Sequence, residues 1–69
     1  MFWLDYLMEE TKIKSRYELS KLSGISETSL ASIKTRKTPY ENMKFGNMKK
    51  IAIALDLSLD ELNDLLSKQ

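Results

Sequence analysis

The stretch "LSKLSGISETSL", residues 19–30, decides how this chain folds. A single glycine, Gly24, joins two short segments with helical character. Upstream, Ser15-Arg16-Tyr17-Glu18 puts a hydroxyl at a helix N-cap and a carboxylate three residues later, a capping-box pattern. It predicts a helix running to about Ser23, with Leu19 and Leu22 turned inward. Ser26 is the next N-cap, and its helix is expected to bury Leu30 and Ile33 and end near Thr35. Gly24 has no Cβ, so it suits the left-handed backbone that a tight corner needs. Ser20, four residues earlier, is small where the two helices would cross closely. With Ile25, Leu30 and Ile33 on the core, Glu27, Thr28, Ala31, Ser32 and Thr35 form the outer stripe of the second helix.

The same logic extends to both ends. Leu4, Leu7, Met8 and Thr11 follow helical spacing near the start. After Thr35 the segment "TRKTPYENMKFG" carries Pro39 and Gly46 and reads as a loop. Asn47 is expected to cap a fourth helix, in which Met48, Ile51, Ala52 and Leu55 fall on one face. Ser58-Leu59-Asp60-Glu61 is a second capping box, opening a last helix that buries Leu62, Leu65 and Leu66. No alternating β-branched run competes. The expectation is an all-α, compact five-helix chain forming one domain over residues 1–69.

Composition removes several classes of function. The chain has no cysteine and no histidine, so disulfides, thiolate metal sites and the commonest general base are absent. No catalytic residue, cofactor or metal is expected. The N-terminal "MFWLDYLMEE" lacks the basic start and apolar run of a signal peptide, and no apolar stretch reaches the roughly 20 residues of a membrane span. The reading is a soluble, cytoplasmic protein with no membrane partner. Charge is unevenly spread: residues 1–11 carry −3, residues 12–50 carry ten basic against three acidic groups, and residues 51–69 carry −3. A basic middle between acidic ends is an electrostatic footprint for a polyanion.

At this point "YELSKLSGISETSLASI" resembles the helix-turn-helix of the Xre/Cro-type phage and plasmid repressor family, and "MKKIAIALDLSLDELNDLL" resembles that family's fourth and fifth helices. The resemblance spans roughly Lys12 to Leu66. It implies a lambda-repressor-like domain, with helices two and three forming the helix-turn-helix and a recognition helix of about Glu27–Thr35 entering the major groove of double-stranded DNA. Carried over by position, Glu27, Thr28 and Ser32 would reach base edges. Arg16, Tyr17, Ser26, Lys34, Arg36, Lys37, Lys44 and Asn47 would lie near phosphates. The implied function is a small repressor- or Cro-like transcriptional regulator, with no residues left over for a ligand-sensing domain and no small-molecule ligand expected.

The chain departs from the family in ways that keep a second function open. The connection from Pro39 to Asn47 is several residues longer than usual, and its large apolar side chains imply that it folds back onto the domain. Asp56 replaces a glycine after helix four. Lys34 replaces a glutamate that pairs with a helix-one arginine, so a charge-swapped pair with Glu9 is one expectation. The outer stripe of the recognition helix has no arginine, glutamine or asparagine, so direct readout per half-site should be modest. Phe2, Trp3 and Tyr6 either cover the end of the bundle or form a partner surface. A homodimer through these aromatics or through Leu62, Leu65 and Leu66 is therefore a candidate assembly. The alternative function is a protein-interaction module, an antirepressor or antitoxin-like partner using the same fold.

Overall fold

The structure is a computed structural model describing residues 1–69. Five α-helices follow one another: α1 (Trp3–Glu10), α2 (Arg16–Ser23), α3 (Glu27–Thr35), α4 (Phe45–Ala54) and α5 (Leu59–Ser67). There is no strand, and no helix is long and apolar enough to cross a membrane. α2 packs on both α3 and α4, and α5 packs on α4 and α1. Ten side chains are buried, all hydrophobic, and every helix contributes at least one. Leu4, Leu7, Leu19, Leu30, Ile51, Leu62 and Leu66 form the centre of this core.

The helix starts follow local chemistry, with two exceptions. Ser15, Ser26 and Ser58 each cap a helix by accepting a hydrogen bond from the backbone N–H three residues on. Ser58 and Glu61 form the full reciprocal box. At α2 the box is displaced by one residue: Glu18 Oε1 accepts from the N–H of Lys14 at 2.8 Å instead of from Ser15. The expected Asn47 cap is corrected. α4 begins two residues earlier, at Phe45, with Lys44 as N-cap and no side-chain cap bond. The Met48 N–H makes the first helical hydrogen bond to the Lys44 carbonyl, and the Asn47 N–H shares that acceptor.

Gly24 is the corner of the helix-turn-helix. Its φ is +78°, and its N–H donates to the Ser20 carbonyl at 2.9 Å. A Cβ there would meet nothing within 4 Å, so torsion alone favours glycine. Three other helix ends adopt the left-handed conformation without glycine: Lys12 (φ 61°), Lys37 (φ 53°) and Asp56 (φ 58°). Each sits in the same pair of hydrogen bonds. Ile13, Thr38 and Leu57 donate to the carbonyls of Met8, Ile33 and Ala52, while the left-handed residues donate to Glu9, Lys34 and Ile53. This Schellman arrangement satisfies carbonyls that a helix end otherwise leaves open.

Two packing expectations are corrected. Leu22 is 54% exposed, because the arc of α2 that turns inward runs through Leu19 with the small Ser20 and Ser23, leaving Leu22 outside it. Phe45 is 69% exposed, although its loop neighbours Tyr40 and Met43 do pack against the core.

A left-handed L-residue costs about 1–2 kcal/mol, whereas glycine adopts this backbone freely at the expense of a more flexible unfolded chain. Lys12→Gly is therefore expected to stabilise the fold by about 1 kcal/mol and to raise Tm by roughly 4–8 °C for a chain of this size, read by thermal circular dichroism. An unchanged or lowered Tm would show that the Schellman turn at Lys12 is relaxed already.

Candidate nucleic-acid interface

α3 is held at both ends and exposed along one side. Ser26 caps its start, accepting from the Ser29 N–H at 3.1 Å. Leu30 is fully buried and Ile33 packs on the core, so these two residues fix the rotation of the helix about its axis. That rotation leaves Glu27 and Thr28 exposed and Ser32 half-exposed. Thr28, Ser32 and Arg36 then recur every four residues along one stripe.

This stripe forms one wall of a groove of about 380 Å³. The opposite wall comes from the long α3–α4 connection and the first turn of α4, with Asn42, Lys44 and Asn47. A small-molecule pocket of this size is mostly apolar. Here only Ile33 and Met43 are hydrophobic among ten lining residues, and Arg36 and Lys44 bring positive charge to the groove. Asn47 therefore lines the groove from inside the first turn of α4 rather than capping it.

A second depression lies at the other end of α3, where Glu27 meets Lys14, Ser15, Arg16 and Tyr17. The candidate residues thus divide into two clusters, Arg16, Tyr17 and Glu27 in one, and Thr28, Ser32, Arg36, Lys44 and Asn47 in the other. Ser26, the N-cap of α3, and Lys37, in the left-handed turn that follows Arg36, lie outside both. Tyr17 is exposed, with the Lys21 ammonium 5.6 Å from its ring centroid. Lys14 and Asn42 belong to these clusters but were not anticipated. Lys14 adjoins the first N-cap, and Asn42 depends on how the long loop folds, which no local pattern specifies.

Lys34 needs a correction. Its ammonium lies 2.9 Å from Asp5 Oδ2 on α1, so the charge-swapped pair exists but with Asp5 rather than Glu9. Asp5 stands one helical turn before Glu9 on α1, and Glu9 faces solvent. The pair is partly exposed, with 46% of the Lys34 side chain accessible, so it engages the ammonium without enclosing it.

The surfaces suggested for a dimer are largely spent on the fold. Leu62 and Leu66 are each 1% exposed, and Leu65 packs partly on the core. Trp3 is buried, while Phe2 and Tyr6 are half-buried against the same core. These side chains close the bundle of one chain.

A family model described as a Cro/C1-type HTH DNA-binding domain matches residues 4–67. No curated protein and no solved structure is significantly similar to the chain.

The Asp5–Lys34 pair is partly exposed, and pairs of this kind contribute at most about 1 kcal/mol. Asp5→Asn is expected to lower stability by roughly 0.5 kcal/mol in low salt and by less in high salt, measured by urea titration, whereas Glu9→Gln leaves it unchanged. A larger loss for Glu9→Gln would reassign the pair.

Proposed function

The chain belongs to the Cro/C1-type HTH DNA-binding domain family, and from that premise we propose that it is a small repressor- or Cro-like transcriptional regulator whose α3 lies in the major groove. The observation that carries this reading is the convergence of the Thr28–Ser32–Arg36 stripe with Lys44 and Asn47 on one polar groove. Thr28 and Ser32 are the base-edge residues. Thr28 offers a hydroxyl to either base and a methyl to thymine, and Glu27 accepts from a cytosine amine. Arg36 and Lys37 follow α3 onto the backbone, with Lys44 and Asn47 on the far wall. The capped N-terminus at Ser26 and the Arg16–Tyr17 cluster take a phosphate at the opposite end. The protein acts in the cytoplasm on duplex DNA and performs no catalysis.

None of Glu27, Thr28 and Ser32 makes the bidentate contact that discriminates bases by about 1–3 kcal/mol. A pair of half-sites read by a homodimer, together with DNA shape, supplies the missing specificity. Such a homodimer draws on side chains other than Trp3, Leu62 and Leu66, since these are buried within one chain. Exposed Leu22, Phe45 and Ile53 favour the second reading, a protein-interaction module of antirepressor or antitoxin type.

Binding to random duplex DNA across a salt series separates the two. The regulator reading expects log K to fall with log salt by about 0.9 for each phosphate contact. Replacing Arg36 and Lys37 together by alanine should flatten that slope by about 2, while Thr28→Ala should keep the slope and change the sequences selected from a random pool. Absence of binding at low salt would sink the regulator reading in favour of the protein module.

A further inference from the structure

The far wall of the groove is built from a connection that no helix holds, yet it is tied down from the other end of the chain. The Trp3 indole Nε1 donates to the Thr38 carbonyl at 2.8 Å, across 35 residues of sequence. The Tyr40 ring stands edge-on to Trp3, with centroids 6.4 Å apart. Tyr40 opens a short 3-10 turn, Tyr40–Asn42, and Met43 then packs against the core. Thr38, Asn42 and Lys44 line the groove opposite Thr28 and Ser32. Trp3 itself is 3% exposed and lines none of it.

We propose that Trp3 is a positioning residue for nucleic-acid binding, holding the Thr38–Lys44 segment as the second wall of the groove. Its role is a donor's as much as a filler's. The indole N–H is the only side-chain donor that meets the backbone of this connection. Pinning Thr38 at the point where α3 ends sets the direction in which the segment leaves, and Tyr40 and Met43 set its return. Asn42 and Lys44 are then presented toward α3 before DNA arrives, so the ordering cost of the wall is met in folding rather than in binding. A wall freed from this tether keeps its charge but presents it over many positions, and a phosphate contact spread over many positions contributes little. The inference rests on the groove being the DNA site.

The test is Trp3→Phe, which keeps a ring against Phe2 and Tyr40 but removes the donor. Binding to random duplex DNA is measured well below the Tm of each variant. The expected result is affinity reduced about fivefold at low salt, the worth of one neutral hydrogen bond. The salt slope should become shallower by about 0.9, one phosphate contact. Leu57→Ala removes a side chain that packs on the core in the α4–α5 turn and lines no part of the groove, and serves as the control; it should lower Tm and leave slope and affinity of the folded protein unchanged. Should Trp3→Phe fail to fold, Trp3→Leu, which also lacks the donor, is judged by the same criterion. A folded Trp3→Phe or Trp3→Leu variant with wild-type affinity and slope overturns the proposal. If Arg36→Ala and Lys44→Ala also leave the slope unchanged, the groove itself is not the DNA site and the underlying reading fails separately.

Discussion

Everything in this fold depends on how few buried side chains there are. Five helices and the Ile25 turn share ten buried residues. The helix-turn-helix owns only three of them, Leu19, Ile25 and Leu30. Losing a fully buried leucine to alanine costs roughly 2–5 kcal/mol, against a total stability of about 5–15 kcal/mol for a typical domain. The motif therefore cannot hold its angle by its own contacts. α2 leans on α4, where Ile51 and Ala52 are buried, and α5 closes the far side with Leu62 and Leu66. The aim of α3 is a property of the whole bundle.

A thin core gives weight to helix ends. Each serine cap contributes about 1 kcal/mol, and there are three, at Ser15, Ser26 and Ser58. The left-handed turns at Lys12, Lys37 and Asp56 oppose this by a similar amount each. They persist because each delivers the next residue onto the body: Ile13 and Leu57 pack against the core, and the Thr38 carbonyl meets Trp3. The strain at each turn is thus matched to a tertiary contact one residue further on. At Lys37 that contact is also what directs the long connection toward the groove.

What could be read from the sequence was the part governed by neighbours within four residues. The serine caps, the Gly24 corner and the inward Leu19 and Leu30 all depend on local backbone geometry and helical periodicity. Most of the misreadings turn on packing against distant parts of the chain; the one-residue shift of the α2 box, where Glu18 takes the Lys14 N–H, is local. Leu22 has the spacing of an inward residue, but the close approach of small serines turns the buried arc away from it. Asn47 has the chemistry of a cap, yet the helix begins where Met43 returns to the core. Lys34 needed a carboxylate on α1, and choosing Asp5 over Glu9 depends on a rotation of α1 that is fixed by Trp3, Leu4 and Leu7 together. The path of residues 38–44 was the least legible, since it rests on an indole hydrogen bond between distant segments.

The same distinction separates the two walls of the groove. The α3 wall is specified locally, and its exposed side chains are small: a threonine and a serine leave the helix free to approach closely but carry little base discrimination. The loop wall is specified by distant contacts and carries Asn42 and Lys44, groups suited to backbone oxygens. Phosphate contacts fix register and orientation, and a correctly oriented helix can use weak contacts that a loosely held one would waste. On this account the long connection is the counterpart of the modest recognition stripe. On the proposed reading, the short side chains of the stripe let α3 sit deep in the major groove, and a second wall tied to the core keeps it from rolling there. Precision of placement, more than strength of any one base contact, is what this chain has available to recognise DNA.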